Sequence, residues 1–385
     1  MKNHKLFYKE RIGDYRKIYF LGINIFNYKK NILYVNWFYW HHKCEKLIKT
    51  CKYVHLCDND KFIKPYVDFI NSNFDKKEHL FICKKSHNNV ATPFPYDTNV
   101  VKASTYRNLN LDLKNIKKII CHSLFDQEII DILYTNKQLL KKSYWMIWGG
   151  DLYTAKDDEA NNYVRKHIKA YISDTDGDNE VAIKKYKSKP LTYNAGYTFP
   201  ITLDMVEKHT KKPHDFVLIQ VNNSCDKTTI DMLKTLSKFA DKNIKVWTVL
   251  SYGQTEYKHE IMKLGKKLFG DKFYYINQMM TPAEYAGVIK QNDILILNQD
   301  RQQGLGNSFA NLVSGAKVFI KSSVTTYNHF NSKGIKVFDT YSIQDSDFDD
   351  FIAYKESVKQ NNIKKAKIFF DNKYLKSLWE DIFND

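Results

Sequence analysis

From residue 52 onward, short apolar runs alternate with segments whose apolar residues recur at helical spacing. "KYVHLC" (52–57), "EHLFICK" (78–84) and "KKIICHS" (117–123) read as strands. "DKFIKPYVDFINSNF" (60–74) and "LFDQEIIDILYTN" (124–136) between and after them read as helices. "SYWMIWGGDLY" (143–153) is a further strand that ends in two glycines, and "AYISD" (170–174) and "PLTYN" (190–194) close this half. Strands separated by helices of this length predict βαβ units and a parallel sheet.

The pattern breaks at the charged, proline-bearing "TFPITLDMVEKHTKKPH" (198–214) and then restarts. "DFVLIQV" (215–221), "IKVWTVLSYG" (244–253), "KFYYIN" (272–277), "DILILN" (293–298), "KVFIK" (317–321) and "IKVFD" (335–339) are the second set of strands. "TPAEYAGVIKQ" (281–291) carries a capping box, with Thr281 as N-cap, Pro282 at N1 and Glu284 at N3. Continuously apolar runs such as "DILILN" suit strands covered on both faces. The expectation is an α/β chain with two doubly wound, Rossmann-like parallel-sheet domains facing each other across a cleft. Residues 53–205 form the first domain, 206–370 the second and 371–385 a C-terminal amphipathic helix. Ligands bind such sheets beyond the carboxyl ends of the strands. Residues 1–52 do not fit this scheme and read as an extension, either a hairpin or helix packed on the first domain or an aromatic and basic surface for lipid headgroups.

Composition narrows the partners. The 385 residues carry a formal net charge of +17, spread along the chain, which favours an anionic partner. Only five of the 60 basic residues are arginine, and guanidinium forks dominate base-edge readout, so no specific nucleic-acid partner is expected. Six widely spaced cysteines without a C-x-x-C pair read as reduced small hydrophobes. No window approaches the roughly 18 apolar residues of a membrane span, so a cytoplasmic protein that meets a membrane only at its surface is expected.

The candidate chemistry lies at strand ends. In "NQDRQQGLGN" (298–307), Gly304 and Gly306 allow positive φ and close approach of backbone N–H groups to an oxyanion. Arg301 offers a bidentate fork, and a helix opening near Asn307 points its positive end at the same spot. That combination suits a diphosphate, with Gln302 and Gln303 beside it. "NNSCDKTT" (222–229) lacks the glycines of a dinucleotide fingerprint, and no Walker sequence occurs. Asn223 and Ser224 still offer donors there, Lys227 a point charge, and Tyr252 ends the next strand. Asp151, after Gly149 and Gly150, reads as a base for an acceptor hydroxyl or as a helix cap. His122, at a strand end, is the reserve base or a structural histidine. "SDTDGDNE" (173–180) has its glycine in the wrong place for an EF-hand and reads as a solvated turn. No cluster has metal-ligand spacing.

"SYWMIWGGDLY", "CHSLFDQ" and "DRQQGLGN", in this order, resemble the TDP-N-acetylfucosamine:lipid II N-acetylfucosaminyltransferases, over roughly residues 53–340. The resemblance implies a GT-B architecture and transfer of 4-acetamido-4,6-dideoxygalactose from a nucleotide-diphosphate sugar to a lipid-linked saccharide acceptor. It also implies no cofactor, no required metal and a peripheral place on an anionic membrane surface. Carried across, Trp148, Gly149, Asp151 and Tyr153 would line the cleft from the first domain, with Arg301, Gln302, Gln303, Gly304 and Gly306 opposite; Gly150 joins the expected acceptor side and Asn307 the expected donor side. The second glycine of "GGD" departs from the alanine common in that family, and residues 1–50 extend beyond the match. A GT-B transferase of other specificity, a nucleotide-sugar epimerase, and a basic protein that grips RNA or membrane without turnover are the alternatives. The epimerase would need additional acid/base carboxylates.

Overall fold

The computed structural model describes residues 7–12, 15–20, 23–29, 37–60, 62–84, 94–106 and 114–385. The chain divides into two compact units, residues 1–122 with 126–143 and residues 123–125 with 144–385. The strands of the described residues form two parallel sheets, of seven and six strands, besides a small antiparallel one.

The first unit opens with β1 (Phe7–Ile12), β2 (Tyr15–Phe20) and β3 (Ile23–Lys29), an antiparallel meander, followed by helix α1 (Trp37–Ile48). The far end of α1 is packed down: Cys44 and Ile48 are buried, and Lys43 Nζ donates to the carbonyls of Val100 (2.7 Å) and Asp97 (3.1 Å). The aromatic surface expected of Trp37 to Trp40 rests on side chains outside the described residues. The parallel strands that follow are β4 (Tyr53–Asp58), β5 (His79–Lys84), β6 (Val100–Ala103) and β7 (Lys118–His122), laid out as β7-β4-β5-β6. Helices α2 (Ile63–Asn73), α3 (Gln127–Thr135) and α4 (Lys137–Leu140) complete the unit. β4 and β5 are buried almost throughout, the expected fate of apolar runs covered on both faces.

The second unit contributes β8 (Ser143–Met146), the short helix α5 (Gly150–Tyr153), α6 (Glu159–His167), β9 (Ala170–Ser173), α7 (Asp176–Tyr186) and β10 (Leu191–Asn194). β8, β9 and β10 pair in parallel, in that order. After α8 (Leu203–Glu207) comes the six-stranded sheet. Its elements are β11 (Val217–Val221), α9 (Thr228–Leu236), β12 (Ile244–Val249), α10 (Lys258–Phe269), β13 (Phe273–Ile276), α11 (Pro282–Ile289) and β14 (Ile294–Leu297). Then follow α12 (Leu305–Val313), β15 (Lys317–Ile320), α13 (Thr325–Ser332) and β16 (Phe338–Asp339). The chain ends in α14 (Phe348–Ile352), α15 (Glu356–Phe370) and α16 (Asn372–Asn384). The expected capping box at Thr281 and Glu284 is formed, with Pro282 at N1.

The order of the six strands is β13-β12-β11-β14-β15-β16, all parallel. Successive residues of β14 serve opposite faces: Ile294 and Ile296 pack with Leu233 and Phe273, Leu295 and Leu297 with Leu312 and Phe330. The order of winding reverses between β11 and β14, so their carboxyl ends form the topological switch point of this sheet. All six cysteines are unpaired and buried.

Candidate active site

Both polar loops singled out in the second half leave the sheet at that switch point. Asn222, at the exit of β11, takes a positive φ of 53°. Its Oδ1 accepts from the N–H of Asn298 (2.8 Å), and its Nδ2 donates to Thr229 Oγ1 (2.9 Å) and Thr228 Oγ1 (3.2 Å), tying the two loops together. Gln299 Nε2 donates to Asn223 Oδ1 (3.0 Å) and Ser224 Oγ (3.1 Å), and Gln303 Nε2 donates to Ser224 Oγ (2.6 Å). Asn223 and Ser224 therefore shape the loop with their acceptor atoms. Among the described residues the Asn223 Nδ2 and the Ser224 O–H donate no hydrogen bond.

Arg301 stands apart from this web. Its Nη1 donates to the Gln302 carbonyl (3.3 Å), and no carboxylate forms a salt bridge with it among the described residues. Gln302 is half-buried beside it. Lys227 is exposed at the start of α9, its backbone N–H bonded to Gln254 Oε1 (3.1 Å). Gly304 holds φ of 72° as the N-cap of α12. The helix opens at Leu305, ahead of the expected Asn307, because Gly306 is helical. What Gly306 provides is space: a Cβ there would lie 2.6 Å from the Phe199 ring. Asn307 also differs from its expected diphosphate role. It is buried, its Nδ2 donates to Tyr285 Oη (2.8 Å), and its Oδ1 accepts from Asn311 Nδ2 (2.7 Å). Tyr252 sits half-buried in the apolar group of Leu218, Trp247 and Val249, and burial pushes its hydroxyl up to about 12.

The "WGGD" turn meets the arginine loop. Gly149 has φ of 80°, and a Cβ there would touch Gln302 Oε1 (3.5 Å) and Arg301 Nη1 (3.7 Å). Gly150 is set by Phe125, whose ring a Cβ would approach to 2.7 Å. Trp148 Nε1 donates to Tyr197 Oη (2.7 Å), the two rings meeting edge to face. Tyr153 Oη donates to Asp178 Oδ1 (2.6 Å), which also accepts from Thr325 Oγ1 (2.7 Å). Burial raises the Asp178 carboxyl, opposed by these two hydroxyls and by the Arg301 charge, so the guanidinium lies within electrostatic reach of this group.

Asp151 is not placed as a base. None of it is exposed; Oδ2 accepts from Trp145 Nε1 (2.6 Å) and Leu124 N–H (2.8 Å), and Oδ1 from Trp148 N–H (2.8 Å). Burial raises its carboxyl, held back by those three donors and the Arg165 charge. A base must reach the proton it takes; this carboxylate reaches the backbone N–H groups of Leu124 and Trp148 and the Trp145 indole. What it does in the fold is hold the Leu124 and Trp148 backbone. His122 is likewise enclosed, 1% exposed, its Nε2 3.1 Å from His55 Nδ1, and burial lowers it to about 3. That environment fits the structural reading of a strand-end histidine.

Several residues of the site carried no signal in the sequence reading. Gln299 and Asn298 lay inside the quoted loop without a role, and Tyr285 inside a helix chosen for its caps. The "SDTDGDNE" segment is corrected as well: it opens α7, with Thr175 as N-cap, and Asp178 is 2% exposed rather than solvated. Asp174 lies ahead of that cap, between β9 and α7. Among the described residues no group of three or more His, Cys, Asp or Glu is arranged to hold a metal ion.

Two parallel-sheet α/β domains with a ligand-competent switch point define the GT-B fold. Solved structures share it. A glycosyltransferase from Rickettsia africae superposes with a TM-score of 0.62 at 10% identity, over 86% of this chain and 98% of that one. The α,α-trehalose 6-phosphate synthase of Burkholderia multivorans gives 0.60 at 10% identity, over 87% and 95%. HepE from Anabaena, solved with UDP-glucose, gives 0.57 at 9% identity, over 86% and 100%. No curated protein matches in sequence. The model of glycosyltransferase group 56, described as 4-alpha-L-fucosyltransferase, matches residues 98–384, and the chain belongs to that family. It is a glycosyltransferase. The match reaches further toward the C-terminus than the motifs that carried the resemblance, and so includes α15 and α16.

Proposed function

We propose that the chain moves an amino-deoxy-sugar of the N-acetylfucosamine type from a nucleoside diphosphate to a lipid-linked saccharide, in the synthesis of a surface glycan. The observation that carries the donor half is the Arg301 guanidinium, without a carboxylate partner, at the switch point where α12 begins. A leaving diphosphate develops charge in the transition state, and preorganised donors aimed at that charge accelerate departure. Arg301, the first N–H groups of α12 and Lys227 supply them, so the reading asks for no metal. The Anabaena neighbour, held with UDP-glucose, and the deoxy-sugar in the family's description support a nucleotide-sugar donor. The acceptor side is assigned to Trp148, Gly149, Gly150 and Tyr153. A lipid-linked acceptor places the work at the inner membrane face, without insertion.

Calorimetry with TDP and UDP in the presence of a chelator tests the donor half. Arg301→Ala should weaken nucleotide-diphosphate binding by about 2–3 kcal/mol, the scale of a lost charge-assisted contact. Wild-type affinity in that variant would remove Arg301 from the site. A screen of TDP- and UDP-linked sugars on lipid-linked acceptors tests the rest: transfer of plain hexoses alone would overturn the amino-deoxy-sugar assignment.

A further inference from the structure

Directly behind the first turn of α12 lies a cavity of about 50 Å³, walled by residues 194–199 after β10, by Leu305 and Phe309 of α12, and by His329 of α13. Part of its polar lining is unsatisfied. Asn194 Oδ1, Thr198 Oγ1 and His329 Nδ1 are buried without a hydrogen-bond partner, and Thr198 and His329 are each only 8% exposed. Buried polar atoms are nearly always paired with protein, water or ligand, so three orphans around one cavity favour an occupant with hydrogen-bonding groups. Asp174, just past β9, adds a carboxylate to which no hydrogen bond or ion pair is made among the described residues.

Glycine at 196 is what lets that carboxylate stand there: a Cβ on Gly196 would overlap Asp174 Oδ1. The Gly196 backbone is fixed in turn, its carbonyl accepting from Trp379 Nε1 (2.9 Å). Burial and the neighbouring Asp178 push the Asp174 carboxyl up to about 7.

The chemistry of the occupant follows from the lining. Asp174, Asn194 and Thr198 present acceptor oxygens, which favours a ligand rich in O–H donors. Asp174 and Asp371 disfavour an anion, and Lys333 disfavours a cation. Tyr197 and Phe199 supply ring surface for the apolar face of a sugar. The volume admits the edge of one ring, at roughly 10–15 Å³ per water-sized group, and no chain of sugars. We infer that this cavity binds the hydroxylated edge of a neutral saccharide, belonging to the acceptor in the reading above, on which the saccharide assignment rests.

The test uses the full chain, with free N,N′-diacetylchitobiose as probe in saturation-transfer NMR and TDP titrated separately. Asp174→Asn, Thr198→Val and Gly196→Ala should each weaken the disaccharide about tenfold or more, the scale of one or two lost hydrogen bonds, and leave TDP affinity unchanged. If Gly196→Ala lowers the melting temperature, the near-isosteric Asp174→Asn and Thr198→Val carry the result. Unchanged disaccharide binding in both, or none to the wild type, would mean that the cavity holds only water and would overturn the inference. Failure of TDP to bind while the disaccharide does would instead sink the donor reading and leave the cavity standing.

Discussion

Leu124 shows how single residues define this molecule. Its N–H donates to Asp151 Oδ2 (2.8 Å) and its carbonyl accepts from Arg165 Nη2 (2.9 Å), so the two peptide groups that flank one residue are each held by a buried charge. The preceding Ser123 takes φ of 75°, a conformation that such clamping holds in place. The same Asp151 carboxylate fixes Trp148, the residue before Gly149, and so positions the turn that touches Arg301. Asp151→Asn replaces one acceptor oxygen with an N–H₂ group facing N–H donors. It should therefore cost about 1–3 kcal/mol of stability, the desolvation penalty of buried donors left unpaired. Denaturant unfolding would measure it. Unaltered stability with lost turnover would restore the catalytic reading of this residue.

At the scale of elements, three neighbouring strands carry an unusual chain of buried histidines. His55 of β4 lies 3.1 Å from His122 of β7 and 3.1 Å from His79 of β5, under Tyr66 and beside Phe81. Burial lowers all three, His79 and His122 to about 3, with neighbouring histidines adding to the effect on His55. In the unfolded chain each takes up a proton near pH 6.5, whereas in the fold none does until well below that. The unfolded state then binds more protons, so stability is full above about pH 6.5 and drains away as pH falls toward 3. The loss is at most about 1.4 kcal/mol per histidine per pH unit. Denaturant midpoints at pH 7.5, 6 and 5 should fall in that order, and His122→Gln or His55→Phe should flatten the dependence. An unchanged midpoint across this range would show that the triad is already open to water.

For the whole molecule, charge and the absence of a span set the expected behaviour. The chain carries +17, and among the described residues no helix is long and apolar enough to cross a membrane. Each lysine near an anionic surface contributes about 1 kcal/mol, screened by salt. The protein should sediment with vesicles containing anionic lipid at low salt and release at high salt. Removing residues 1–36, which spares the packed end of α1, should weaken that association more than it weakens TDP binding. Equal binding to neutral vesicles, or none to either kind, would defeat a peripheral role.

What could be read from the sequence is what neighbours along the chain decide. "DILILN" had to be a strand covered on both faces, and "TPAE" had to start a helix, because periodicity and capping act over a few residues. The same locality made the Arg301 loop legible as a glycine-bearing strand exit that opens a helix. Which polar residues stay free, by contrast, is decided by partners far away in the chain. Asp151 looked like a base until Trp145, Leu124 and Trp148 occupied both its oxygens, and His122 became one of three histidines only when β4, β5 and β7 were laid side by side. Asp174 and Asp178 passed for a solvated turn; burial of the α7 start and the missing Cβ of Gly196 turned one into a hydroxyl acceptor and left the other unpaired beside a cavity. A residue's type limits the chemistry open to it, and only tertiary packing, through burial and the assignment of hydrogen-bond partners, decides which part of that chemistry remains available.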